Sequence, residues 1–210
     1  MKYLFYLLSF CILCISCKKD GCTDVNAINY DSSADRNDGS CEFPPEIKIG
    51  QFFQGGIVFY LDSSGGGLIA ASEDQITDYS AEWGCYQQEI IGGNGVVIGT
   101  GKQNTDDIIN SNCNPNNSSN SIAAYICDTL NLNGYDDWFL PSKDELNAMY
   151  ENIGNGNFLG HGNIGNFALT YYWSSSQIND DYACKQNFGD GYQGNYCKYA
   201  GYLVRAVRAF

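Results

Sequence analysis

Ten of the 210 residues are cysteines, and no other feature constrains the fold of this chain as strongly. So many thiols are out of place in a reducing cytosol. In an exported protein they become cross-links that hold loop-rich structure together. The N-terminus agrees with export. The opening stretch MKYLFYLLSFCILCISC has one basic residue, Lys2, and then an apolar run broken only by Ser9. That run is shorter than the ~20 residues needed to cross a bilayer and has the layout of a cleaved secretory leader. Cys11 and Cys14 would leave with it.

The step Ser16-Cys17, followed by the abruptly polar CKKDGC, resembles a bacterial lipobox, with Cys14 standing where Leu or Val is usual. The resemblance implies a leader of residues 1–16 and a lipidated Cys17 as the new N-terminus. With Lys18 rather than Asp next in line, it places the protein at the outer membrane, facing outward. Seven cysteines then remain, an odd number, so at least one is free or paired between chains. Loss of Lys2 leaves 10 basic residues against 24 acidic ones, taking the net charge from −13 to −14. A field of that sign repels polyanions and excludes nucleic acid as a partner.

After a tether at residues 17–21, residues 22–43 are polar and rich in Asp, Asn and Ser, with too little apolar material for a core. Cys22 and Cys41 bracket them, and a disulfide between the two would close the segment. The segment resembles the short GCTD…DGSC modules of secreted and surface bacterial proteins. Asp24, Asp35, Asn37 and Asp38 offer oxygens for calcium, but their spacing is not that of an EF-hand. Asp38-Gly39 is equally a turn pair. Residues 44–49, opening on two prolines, form a stiff linker.

Residues 50–210 make one domain of ordinary size. GGIVFYLD and GLIAAS, separated by SSGGG, predict a β-hairpin. TDDIIN predicts a helix capped by Thr105, and Ile122, Ile126 and Leu130 mark the buried face of a second. The densest cluster of carboxylates, Asp136, Asp137, Asp144 and Glu145 in NGYDDWFLPSKDEL, reads as scaffold. Ser142 and Glu145 stand in the capping-box relation, Asp144 suits the first helical turn, and Asp136 and Asp137 flank a turn before a buried Trp138. The tail, from TYYWSSS with Trp173 to LVRAVRAF, predicts short strands. Cys184 and Cys197 are equidistant from the GDGY turn, which predicts a disulfide across that hairpin. Cys127 falls on an apolar helix side as a buried thiol, leaving Cys85 and Cys113 as a pair. Arg205 and Arg208 lie on opposite sides of the last strand, and one is expected to pair with a carboxylate internally.

GGIVFY, GLIA, EWGC, IGTGKQNT, NGYDDWFLPSKDEL, YYWSSS and VRAVRAF, in this order, resemble the C-terminal domain of bacterial collagen-like adhesins. The resemblance implies an α+β, C-type-lectin-like fold related to the formylglycine-generating enzymes, with paired terminal strands and a loop-rich binding half. It implies surface recognition or adhesion rather than catalysis. The collagen-like repeats of the namesake proteins are missing from this chain.

Specific chemistries fare poorly. IGTGKQNT departs from a phosphate loop at Val96 and Gln103. His161, the single histidine, sits in a glycine-rich loop without an orienting acid. A structural Cys184–Cys197 bridge would remove the reactive cysteines of the formylglycine-generating enzymes. The Glu-Pro-Asn and Trp-Asn-Asp strings of calcium-dependent sugar sites do not occur, so no cofactor is expected, calcium being the one candidate. The best ligand-binding candidates are Tyr182 and Tyr192 beside Asn179, Asp180 and Asp181, aromatic faces next to amides and carboxylates that suit a glycan or protein partner. Paired carboxylates of a glycan-processing enzyme, or a non-binding envelope lipoprotein, are the alternatives. Replacing Cys17 with Ala is expected to move the protein from the membrane to the soluble fraction, and unchanged membrane association would refute the lipid anchor.

Overall fold

The computed structural model describes residues 18–210, so the expected leader at residues 1–16 and the expected lipidation site Cys17 lie outside the described residues. The chain forms two units, divided between Glu46 and Ile47. In the first, short-range hydrogen bonds replace a core. Asp24 Oδ1 accepts the N–H of Asn26, Asn37 Oδ1 that of Gly39, and Asp38 Oδ1 that of Ser40. Asp35 accepts the N–H of Lys19. Strands β1 (Asp20–Gly21) and β2 (Arg36–Asn37) pair in parallel, and Arg36 grips Asp20 through two nitrogens. Cys22 and Cys41 are joined, a cross-link worth about 2–4 kcal/mol to a segment this small.

The second unit is α+β. Its elements are β3 (Phe52–Phe53), β4 (Gly56–Leu61), β5 (Gly67–Ala70), β6 (Ile76–Glu82), α1 (Gly101–Asn110), β7 (Ser121–Ile122) and α2 (Ala123–Asp128), then α3 (Lys143–Ile153), β8 (Tyr171–Gln177), β9 (Tyr182–Asn187), β10 (Gln193–Cys197), β11 (Gly201–Val204) and β12 (Val207–Ala209). One sheet runs β10-β9-β8-β11-β6-β7 and the other β12-β5-β4-β3. The hairpin predicted from GGIVFYLD and GLIAAS is β4–β5, its turn closed by Asp62 Oδ1 accepting the N–H groups of Ser64 and Gly66. The C-terminal strand β12 pairs antiparallel with β5, so the end of the chain closes onto the first hairpin. Trp83, Trp138 and Trp173 centre one core cluster; Phe59, Phe139, Tyr172 and Phe188 centre another.

The chain leaves the six-stranded sheet and enters the other at Arg205-Ala206, between β11 and β12. Arg205 is buried there. Its Nε and Nη2 contact Asp74 Oδ1 at 2.8 and 2.6 Å, and Nη1 donates to the carbonyls of Ala71 and Gly165. The guanidinium lies 4.2 Å from the ring centroid of Phe167, and the Tyr172 hydroxyl donates to Asp74 at 2.8 Å. Arg208 clasps Asp137 through Nε at 2.6 Å and Nη2 at 3.0 Å while stacking on Tyr135. Both arginines therefore have carboxylate partners, where one was expected, and Asp137 is accounted for as a structural anion.

At α3 the capping box is present in full. Ser142 Oγ accepts from the N–H of Glu145 at 3.3 Å, and Glu145 Oε2 accepts from the N–H of Ser142 at 2.7 Å. Glu145 does more. Its Oε1 accepts the N–H of Gly99 at 2.7 Å and of Gly101 at 3.4 Å, so one buried carboxylate terminates two helices. A Cβ on Gly101 would collide with Glu145 Oε2, which explains the glycine at the start of α1. Burial pushes the Glu145 carboxyl above its ordinary range, against the opposing pull of these N–H groups.

Two expectations are corrected. Thr105 does not cap a helix: α1 begins four residues earlier, at Gly101, because Glu145 supplies the acceptor that the helix start lacks locally. Thr105 is buried mid-helix, where its hydroxyl accepts the N–H of Leu140. Cys184 and Cys197 do not form a disulfide and are free thiols. The β9–β10 register sets Cys184 opposite Asn195 and Cys197 opposite Tyr182. Phe188 is drawn into the core against Phe167 and Tyr172, so the turn forms one residue early and the two cysteines become diagonal neighbours. Cys22–Cys41 and Cys85–Cys113 are paired, and Cys127 is a buried thiol.

Ser142→Ala is expected to lower stability by about 0.5–2 kcal/mol through loss of the cap. Glu145→Ala, which strands the N–H groups of both helices, is expected to cost more, about 3 kcal/mol. Denaturant midpoints at constant slope measure both, and equal losses would contradict the double role of Glu145.

Candidate functional site

The richest concentration of buried polar side chains lies under the loop between β6 and α1. Ser176 and Gln177 at the end of β8, with Asn104 of α1, hold this loop to the sheet. Ser176 Oγ donates to the carbonyl of Gly95 at 2.6 Å, and Asn104 bonds both backbone groups of the same glycine. The Gln177 carboxamide likewise bonds the N–H and carbonyl of Ile90. Lys198, fully buried at the start of the β10–β11 connection, donates to the carbonyl of Gln88 at 2.8 Å and to Gln177 Oε1 at 3.0 Å, 4.5 Å from the Trp83 ring centroid. Burial pushes its ammonium down to about 8, against the pull of Asp180, Glu89 and Asp181.

Opposite this loop stands the asparagine-rich segment 111–120. Glu82, 1% exposed, accepts the N–H groups of Asn116 at 2.6 Å and Asn117 at 2.8 Å, and the Asn120 carboxamide at 2.9 Å. A buried carboxylate receiving three donors is well compensated. The Cys85–Cys113 disulfide then ties the two segments together. Between them lies a cleft of about 410 Å³, lined by Tyr86, Gln88, Asn112, Asn114, Pro115 and Asn116. It continues past Asn112 and Asn114 into a second hollow of about 390 Å³, whose apolar wall is Ile108, Ile109, Ile122 and Tyr125. Both volumes are typical of ligand clefts. Sequence reasoning missed Glu82, Tyr86, Gln88 and the three asparagines. The signal was available in the Cys85–Cys113 pairing, which by itself brings EWGCYQQ against NCNPNN.

Four of the five residues singled out from sequence lie beside this cleft. Asn179 Oδ1 accepts the N–H groups of Asp181 and Tyr182, shaping the β8–β9 turn. The Asp180 carbonyl accepts from Gln87, and the Asp181 carbonyl from Lys198. Asp181 Oδ1 is buried and lacks a hydrogen-bond partner among the described residues. Tyr182 is half-exposed next to Cys197, which raises its hydroxyl above the ordinary phenol range, as it does that of Tyr199. Tyr86 packs edge-on against Tyr199 at 4.8 Å, linking this cluster to the cleft.

Tyr192 is elsewhere, at the far end of the β9–β10 hairpin. The six residues of β9 separate it from Tyr182 by roughly 20 Å, so the two tyrosines do not share one site. Tyr171, Tyr196 and Tyr202 surround the Lys185 ammonium at 3.5, 4.7 and 4.5 Å, and their inner faces are occupied. Asp24, Asp35 and Asp38 do not converge, and no three His, Cys, Asp or Glu side chains among the described residues are placed to hold a metal ion. His161 is exposed. Burial raises the Cys127 and Cys184 thiols.

Fold and cleft together define an α+β domain whose cystine-linked loops are fastened to one end of a sheet. A family model for the Lcl C-terminal domain matches residues 99–208. That span is more than half of the chain, and the protein belongs to the Lcl C-terminal domain family. It runs from the start of α1 almost to the end of β12 and includes the asparagine-rich wall of the cleft, while Tyr86 and Gln88 lie upstream. No curated protein matches the chain.

Lys198 makes a pH dependence measurable. From about 8 towards its ordinary 10.5, the unfolded chain holds the lysine proton and the folded chain does not, so this residue makes stability rise with pH. Lys198→Met is expected to flatten the rise of the thermal midpoint across that window relative to wild type, and parallel curves would contradict the burial effect.

Proposed function

We propose that this chain is a lipid-anchored cell-surface recognition protein that binds a glycan or protein ligand in the cleft between the β6–α1 loop and the asparagine-rich segment. The observation that carries the reading is the cleft itself. Its two walls are tied by Cys85–Cys113 and braced by Glu82, yet its lining side chains are left open to a ligand. A site whose loops are already ordered loses less entropy on binding. The resemblance to the C-terminal domain of collagen-like adhesins supports the same reading. So does the pairing of strands from the two ends of the domain, β12 beside the β4–β5 hairpin, which supports a C-type-lectin-like fold. Anchoring rests on the sequence around Cys17 and the outward placement on Lys18. The cleft lining contains no carboxylate pair, so recognition is favoured over glycoside hydrolysis.

The test is binding of the leaderless protein to arrays of glycans and surface proteins, with and without calcium. Specific binding that Tyr86→Ala abolishes at unchanged thermal midpoint is expected. Turnover of a glycosidic substrate, or silence on every array, would overturn recognition.

A further inference from the structure

We infer that the ligand of this cleft is a neutral oligosaccharide, its hydroxyl groups read by the carboxamides of Gln88, Asn114 and Asn116 and one sugar face packed on Tyr86. The inference rests on the recognition reading above and narrows it to one ligand chemistry.

Among the residues lining the polar half of the cleft none is ionisable except the Tyr86 phenol. The three carboxamides form no side-chain hydrogen bond among the described residues, unlike Asn104, Asn120 and Gln177, whose carboxamides are all engaged. Each free carboxamide offers two N–H donors and an acceptor carbonyl. That is the complement of a hydroxyl pair, which both donates and accepts. A carboxylate or sulfate would meet donors only on one side and acceptors on the other.

Charge argues in the same direction. Glu89, Asp180 and Asp181 stand next to the cleft, and their fields reach the buried Lys198 behind Gln88. The whole chain carries −13. A polyanionic glycan is repelled from such a surface. The Lys198 ammonium does not offset this, because it is fully buried and its bonds go to Gln88 and Gln177.

Shape supplies the remaining contact. The polar cleft opens past Asn112 and Asn114 onto Ile108, Ile109, Ile122 and Tyr125. A sugar ring has an apolar C–H face and a polar hydroxyl rim, and an N-acetyl group adds a methyl. A cleft with one amide half and one apolar half matches both surfaces of such a unit. Tyr86, at the junction with Tyr199 and Tyr182, provides a ring on which a further sugar stacks.

The experiment is calorimetric titration of the leaderless protein with neutral oligosaccharides (N-acetylglucosamine, galactose and mannose series), with heparin and sialylated oligosaccharides, and with surface-exposed host proteins. A neutral series is expected to bind with little salt dependence. Asn114→Ala and Tyr86→Ala are each expected to weaken it about tenfold or more, the cost of a lost hydrogen bond or stacking partner, and Tyr192→Ala to leave it unchanged. Asn114 is exposed, and unaltered thermal midpoints separate lost binding from lost folding. Binding confined to heparin, sialylated chains or protein would overturn the neutral-glycan inference while leaving recognition standing. Neutral binding undiminished in both variants would overturn this site, and absence of all binding would overturn both readings.

Discussion

The guanidinium of Arg205 is the interaction on which the rest of this domain depends. A charge buried this deeply is tolerated only when every donor meets an acceptor. Asp74, two backbone carbonyls and the face of Phe167 supply that environment. These partners come from two separate stretches, the segment after β5 and the loop after α3, and Tyr172 of β8 joins them through its bond to Asp74. The arginine sits where the chain passes from one sheet to the other, so the bonds that neutralise it also fix how the sheets meet. An apolar side chain there would join the layers without specifying their register.

Glu145 repeats the device on a smaller scale. Helix starts leave N–H groups without partners, and most helices solve this with a residue of their own. Here α1 borrows an acceptor from α3, and the glycine that begins α1 is the space that acceptor needs. Glu82 does the same for the asparagine-rich segment. Three buried anions, Asp74, Glu82 and Glu145, thus organise segments far apart in sequence. Asp74 is held by a cation, whereas Glu82 and Glu145 are held by backbone and amide N–H groups instead.

What was legible in the sequence follows from this. The capping box, the β4–β5 hairpin and the Cys22–Cys41 and Cys85–Cys113 pairs depend on residues near one another or on cysteine arithmetic, and they read correctly. The start of α1 did not, because its acceptor lies 44 residues away in Glu145. The Cys184–Cys197 pairing failed because symmetry about a turn says nothing of Phe188, whose burial moves the turn. Tyr192 was grouped with Tyr182 because both neighbour acidic or amide residues, whereas strand length puts them at opposite ends of one hairpin. The cleft escaped notice for a related reason: its asparagines look like an unstructured polar loop until the disulfide and Glu82 are seen to hold them.

The disulfide has a consequence for where in the cell the domain is competent. Cys85 and Cys113 enclose 28 positions of chain, among them all of α1, and closing a loop of that length removes about 3–4 kcal/mol of unfolded-state freedom. Copies held back among cytosolic reductants would keep both thiols and lack the tie between the two walls. The finished cleft is therefore conditional on an oxidising environment, and a reductant that opens Cys85–Cys113 would free its two walls from each other.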